Sequence, residues 1–309
     1  MKKHYRLIIG TIIIIIILVY FGINYAIVNI LPYSAIRPTR CTKEDLEKYN
    51  DGIISPKDLG LKFNDFDITV DDTIKLKGWF VYSKHKSSLG TIFLLHGISS
   101  CKATLLKMAE LLSNNGFNCV LYDSRANGES GGTNCTFGYY EKYDLSSYID
   151  STIVRYPNSS PYGVFGSSLG AAVAIQTMAI DKRIKCGIAE SPFAKLREVI
   201  HDYFAEMFLL RINSIPDAAL KYTEKIAHFK IDSVQPVLSA KRITQPTMIV
   251  HGLDDKHISP KYGKEIYNNL KSKVKIWYPI PKGNHFNLGQ VGGEKLKQRI
   301  ISFYKKYML

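Results

Sequence analysis

Residues 7–31 carry no charged side chain, and six isoleucines stand in a row at 12–17. About 20 helical residues cross the hydrocarbon core of a bilayer, so this run is long enough to span one. Isoleucine all round a helix leaves no polar face for water, which argues against a buried helix of a soluble domain. A cleaved signal peptide has a shorter apolar core followed by a small-residue cleavage site, and no A-x-A pattern follows here. Segment 1–31 is therefore expected to be a few cytoplasmic residues and a retained signal anchor, making this a single-pass membrane protein. Lys2, Lys3 and Arg6 before the run are matched by Arg37, Arg40 and Lys43 after it, so charge does not set the orientation. The short leading segment places the following domain on the extracytoplasmic side.

Residues 32–61, rich in proline and charge, read as a juxtamembrane linker, and 62–309 as one domain. Within the domain, 66–70 and 74–82 alternate apolar and polar residues around Asp71-Asp72, the pattern of an antiparallel hairpin. The pattern then changes to short apolar runs at 91–95, 118–123, 162–165, 186–190, 247–251 and 274–278, separated by helical stretches. Continuous apolar runs suit strands of a parallel sheet covered by helices on both faces. The βαβα order predicts a doubly wound, mostly parallel α/β sheet. Between Pro192 and Pro236 the alternation lapses into an aromatic-rich stretch with helical spacing, and 193–236 is expected to form a small helical cap.

Composition narrows the function classes. With 309 residues, 46% hydrophobic and 22% charged, the chain is globular rather than disordered. The net charge of +14 is spread over scattered Lys and Arg without a nucleic-acid-binding motif, so no nucleic-acid partner is expected. A basic surface also suits anionic lipid head groups. Cys41, Cys101, Cys119, Cys135 and Cys186 form no CxxC pair and show no metal-ligand spacing, so no metal site is expected. Their odd number argues against a complete disulfide framework, and Cys119, in an apolar run, reads as a small buried hydrophobe.

The chemistry concentrates in Gly166-Ser167-Ser168-Leu169-Gly170, which joins an apolar strand to the small-residue helix that begins Ala171-Ala172-Val173. A G-x-S-x-G element between strand and helix is a nucleophile elbow, which exposes its serine on a tight turn. Serine at neutral pH is a poor nucleophile and needs a base, itself oriented by an acid. Downstream, His251-Gly252-Leu253-Asp254-Asp255 leaves one strand and Lys282-Gly283-Asn284-His285-Phe286 leaves the last. His285 is the expected base, and Asp255 is preferred to Asp254 as the acid. His251 ends a buried strand and reads as structural, and His257 lies only two residues beyond Asp255. The backbone N–H groups of Ile98, after the turn His96-Gly97, and of Leu169 are the expected oxyanion donors.

These residues resemble the alpha/beta-hydrolase superfamily, particularly its dienelactone-hydrolase and prolyl-oligopeptidase-like serine hydrolases, over about residues 62–309. Asp123-Ser124-Arg125-Ala126-Asn127-Gly128-Glu129-Ser130 is similar to that family's D-x-R-G-x-G-x-S turn, with Ala126 in place of a glycine. His251-Gly252 with Asp255 resembles its H-G-x-x-D loop, and Asn284 stands where a small residue often precedes the histidine. The resemblance implies cleavage of esters, thioesters or short peptides without metal or organic cofactor. The expected function is therefore that of a membrane-anchored serine hydrolase of carboxylic esters or thioesters, working through an acyl-enzyme. Its expected partners are a small-molecule or lipid acyl substrate and the bilayer, through residues 7–31. A serine peptidase of the prolyl-oligopeptidase-like kind is the enzymatic alternative, although such peptidases often carry a large additional domain. A non-catalytic membrane adaptor on the same fold is the other alternative, disfavoured because Ser168, Asp255 and His285 are all present.

Overall fold

The structure, a computed structural model, describes residues 2–308. Met1 and Leu309, the outer ends of the expected segments 1–31 and 62–309, lie outside the described residues. The chain begins with helices α1 (Lys2–Asn29), α2 (Leu31–Ile36) and α3 (Lys43–Tyr49), then strands β1 (Phe63–Asp65), β2 (Ile68–Val70), β3 (Ile74–Leu76) and β4 (Gly78–Val81). Strand and helix then alternate through β5 (Thr91–Leu95), α4 (Leu106–Ser113), β6 (Asn118–Tyr122), α5 (Glu141–Arg155), β7 (Tyr162–Ser167), α6 (Leu169–Ile180) and β8 (Ile184–Glu190). Three helices follow without a strand, α7 (Leu196–Phe208), α8 (Ser214–Ala227) and α9 (Pro236–Ala240). The chain closes with β9 (Thr247–Gly252), α10 (Pro260–Asn269), β10 (Lys275–Ile280) and α11 (Leu288–Tyr307).

Eight strands form one sheet in the order β1-β4-β6-β5-β7-β8-β9-β10. All neighbours from β6 to β10 pair in parallel, and β4 alone is reversed, antiparallel to both β1 and β6. The apolar runs are continuous because both faces are dry. Ile92 and Leu94 of β5 pack with Leu121, Phe165 and Ile188 on the face covered by α4 and α11. Phe93 and Leu95, between them, pack with Val120, Val164 and Ala189 on the face covered by α5 and α6. Each such fully buried side chain stabilises the fold by roughly 1.5–3 kcal/mol.

The expected hairpin is present as β2 and β3, with Asp71 and Asp72 at positive φ in its turn. Its second arm is shorter than the alternation suggested. After Leu76 the chain passes into the main sheet as β4, where Phe80 and Val81 bury on opposite faces. Gly78 makes that passage, since a Cβ there would meet the Leu121 carbonyl oxygen at 2.9 Å.

Residues 32–61 lie against the domain rather than extending from it. α3 has a reciprocal cap, in which Thr42 Oγ1 accepts the Asp45 N–H (3.2 Å) and Asp45 Oδ2 accepts the Thr42 N–H (2.8 Å). The Arg40 guanidinium donates to the carbonyls of Gly128 (2.7 Å), Ser130 (2.6 Å) and Gly132 (3.0 Å). Charge and proline mark this stretch as a linker in sequence, yet its donors find acceptors on a distant turn. Side chains of α1 are exposed over nearly all of 4–29, and the stretch His4–Ile36, which holds an 18-residue window of mean hydropathy 2.7, is long and apolar enough to cross a membrane.

Candidate active site

The strand-turn-helix at Ser168 is enforced by its glycines. A Cβ on Gly166 would stand 2.2 Å from the Gly170 carbonyl oxygen, and one on Gly170 would stand 2.2 Å from that of Leu95. With no room for side chains there, β7 turns sharply into α6 and leaves Ser168 at φ 55°, ψ −115°, a conformation costly for a residue with a Cβ. Such strain is characteristic of a functional turn and is held here by the Ser168 N–H donating to the Glu190 carbonyl (2.8 Å).

The loops after β9 and β10 bring two further side chains to this serine. His285 Nε2 is 3.0 Å from Ser168 Oγ, and His285 Nδ1 is 2.8 Å from Asp255 Oδ2. These partners define the tautomer: Nδ1–H donates to the carboxylate, and Nε2 accepts from the hydroxyl. Asp255 is buried and its Oδ1 accepts the Ile258 N–H (2.8 Å), whereas Asp254 is exposed and makes no contact with His285. Burial alone would raise the Asp255 carboxyl. The His251 ring 3.5 Å away, with the hydrogen bonds donated by His285 and the Ile258 N–H, outweighs it and holds the group well below the ordinary carboxylate range, so it stays ionised. His251 is fully buried, donates to the Ile258 carbonyl (2.8 Å) and lies 3.5 Å from Asp255 Oδ2, which makes it a positioning residue for this loop.

The loop after β5 closes the other side. Gly97 approaches so closely that a Cβ there would stand 3.4 Å from Ser168 Cβ. Among the described residues, neither the Ile98 N–H nor the Leu169 N–H has an intramolecular acceptor, so both remain available to a ligand oxygen. His96 and the turn after β6 hold this loop in place. Burial keeps His96 below its usual range and neutral, so Nε2 accepts the Ser124 N–H (3.0 Å) while Nδ1–H donates to the Gly97 carbonyl (2.6 Å). Asn127 Oδ1 accepts the Ser99 N–H (3.1 Å). Asp123 anchors the turn through the buried Lys102 ammonium (2.7 Å) and the N–H groups of Lys102 (2.6 Å) and Glu129 (2.9 Å).

Ala126, which departs from the glycine of similar turns, sits at φ 62°, where glycine is unstrained and alanine is not. Relief of about 1–2 kcal/mol of left-handed strain, less about 0.5–1 kcal/mol of added chain entropy, predicts that Ala126→Gly stabilises the fold by about 0.5–1 kcal/mol. Chemical denaturation measures this, and a lower midpoint in the variant would contradict it.

Glu190 and Tyr203 lie near Ser168 without a sequence signal of their own, and His257 lies there although the sequence gives it no role. Ser167 Oγ donates to Glu190 Oε1 (3.2 Å) at the end of β8, and loss of hydration raises the Glu190 carboxyl. A carboxyl raised in the folded state binds more protons there than in the unfolded chain. Its contribution is thus most favourable below the ordinary carboxylate range and is lost as pH rises through the raised value. Glu190→Gln should therefore stabilise the protein at neutral pH relative to its effect in acid; denaturation at both pH values reads this, and an equal effect at both would contradict it. His257, two residues past Asp255, lies with its ring 5.8 Å from that of His285, and Tyr203 of α7 lies 6.4 Å from His257.

Two cavities meet at Ser168. One, of about 580 Å³, is walled almost entirely by apolar side chains from α7, α8 and α2. The other, of about 1230 Å³, runs past Ser99, Ser100, Lys107, Glu190, His285 and Gln290 and is more polar. Ile98, Ser168, Tyr203 and His257 border both. No group of three or more His, Cys, Asp or Glu side chains able to hold a metal ion occurs among the described residues.

Residues 86–237, just under half of the chain, match the family described as serine aminopeptidase, S33. The uncharacterized protein YqkD of Bacillus subtilis is 26% identical over 216 residues, 68% of each chain. Lysophosphatidylserine lipase ABHD12 of Mus musculus is 26% identical over 200 residues, 59% of this chain and 46% of that protein, so less than half of the lipase is represented here. Among solved structures, the Pyrococcus furiosus esterase Pf2001 superposes with a TM-score of 0.73 at 27% identity, covering 90% of this chain and 100% of the esterase. The reversed strand in an otherwise parallel sheet, the elbow at Ser168 and these likenesses agree, and the chain has the alpha/beta-hydrolase fold.

Proposed function

We propose that this protein is a membrane-anchored serine esterase or thioesterase in which Ser168 is the nucleophile, His285 the base and Asp255 the acid. The reading rests on one observation above all, the unbroken chain of hydrogen bonds from Ser168 Oγ through His285 to Asp255 at a strained elbow. Ser168 Oγ attacks the acyl carbonyl carbon while His285 Nε2 takes its proton, and the carbonyl oxygen becomes an oxyanion facing the Ile98 and Leu169 N–H groups. Collapse breaks the bond to the leaving alcohol or thiol, which departs with the proton from His285. Water, deprotonated by the same histidine, then releases the acid and restores Ser168. Asp255, held ionised, stabilises the imidazolium formed in each half-reaction. Residues 7–31 anchor the enzyme, and α7 and α8 act as its cap.

The family match to serine aminopeptidases favours a second reading, hydrolysis of a peptide bond. The apolar walls of the cavity beside Ser168 favour an acyl chain instead. Parallel assays with p-nitrophenyl acyl esters and aminoacyl p-nitroanilides separate the two. Faster turnover of the esters is expected, and exclusive turnover of the anilides would overturn the esterase reading.

A further inference from the structure

The apolar cavity beside Ser168 is walled in part by the end of the anchor itself. Leu31 and Ala35 of α2 face it together with Phe204, Met207 and Phe208 of α7 and Leu220 of α8. Only Ile30 separates α2 from α1, and both helices pack against α8, where Thr223 Oγ1 lies 3.4 Å from the Pro32 carbonyl oxygen. At about 1.5 Å per residue, the apolar run that begins at residue 7 crosses a hydrocarbon core of about 30 Å by the end of α1. Tyr25, Tyr33 and Arg37, with the guanidinium stacked 4.3 Å over the Tyr33 ring, are the residue types that settle at the head-group level. The cavity wall formed by α2 therefore lies at the membrane boundary.

A second feature lies on the same side. Through the last residues of α7 and just beyond it the chain exposes apolar side chains, Met207, Phe208, Leu209 at 92%, Leu210 and Ile212. Leu209 ends the helix in the left-handed region, at φ 50°. A contiguous apolar patch of this kind marks a surface that something apolar covers. Two of its members, Met207 and Phe208, also line the cavity, so patch and cavity are continuous.

We propose that the cavity opens to the bilayer between α2 and the tip of α7, and that the substrate is an acyl amphiphile drawn from the membrane leaflet with its chain passing over Leu31 and Ala35. The acyl chain fills the apolar cavity, the carbonyl rests at Ser168, and the head group leaves through the polar groove past Ser99 and Lys107. This deepens the esterase reading and rests on it.

The test uses full-length protein in phosphatidylcholine vesicles. Leu209→Trp should gain fluorescence that brominated phosphatidylcholine quenches, beyond the quenching seen for Trp79 and Trp277 in the parent. No added quenching would overturn the membrane contact whether or not the protein is an esterase. Leu209 and Leu210 lie outside the cavity lining, so the double variant Leu209→Ser, Leu210→Ser should hydrolyse soluble p-nitrophenyl butyrate as the parent does. It should lose about tenfold or more against the palmitate ester held in the bilayer, because the side chains that seat the portal no longer partition into lipid. Ala35→Trp should shift the preferred acyl chain toward shorter lengths. Unchanged palmitate hydrolysis in the double variant, with an unchanged chain-length profile in Ala35→Trp, would overturn the portal while leaving the esterase intact. A parent protein inert toward both esters would overturn the esterase reading, and the portal with it.

Discussion

Replacing Ser168 by alanine is expected to lower hydrolysis of p-nitrophenyl esters by about a million-fold, to the level left by binding and the oxyanion donors. The size of the effect follows from the chemistry: without Oγ there is no acyl-enzyme, and His285 has no proton to take. The fold should remain. Ser168→Ala removes one hydroxyl and its hydrogen bond to His285, worth about 0.5–1.5 kcal/mol, and leaves the glycines that shape the elbow untouched. Turnover measured beside thermal unfolding separates the two effects. Activity within tenfold of the parent would refute the assignment of the nucleophile.

Asp255→Asn is expected to reduce kcat by about 10⁴-fold, because an amide can donate to Nδ1 and favour the tautomer that carries its proton on Nε2. The imidazolium would also lose its counter-charge. Asp254→Asn should stay within a few-fold of the parent, because that side chain is exposed and only its backbone N–H is engaged, with the Gly283 carbonyl (2.9 Å). The pair is a sharp comparison, since the two residues are adjacent and carry the same charge. Equal losses in both variants would contradict the geometry. A loss confined to Asp254→Asn would reverse the assignment.

Most of the sheet can be read from the chain, because strands dry on both faces must be written as unbroken apolar runs. The expected 91–95 coincides with β5, and the other runs differ from their strands by a few residues at the ends. The approach of Ser168, Asp255 and His285 was legible for a related reason. Each sits just past the carboxyl end of a strand, and a parallel sheet gathers those ends along one edge. What depended on contacts between distant segments was not legible. Arg40 finds its acceptors about ninety residues away, and Leu31 and Ala35 reach the cavity because α8 packs against α1 and α2. Glu190 and Tyr203 belong to no local motif, and nearness to Asp255 in sequence hides His257, whose ring the loop brings to 5.8 Å from that of His285. The break between β3 and β4 likewise escaped a reading based on period two, because both pieces alternate.

Esterase chemistry at this site requires a poised serine at position 168. Incubation of the full-length protein with a fluorophosphonate, followed by mass spectrometry of its peptides, tests this directly. One covalent adduct is expected, on Ser168, lost in Ser168→Ala and strongly slowed in Asp255→Asn. A protein that remains unlabelled, or that carries its adduct on another serine, would contradict it.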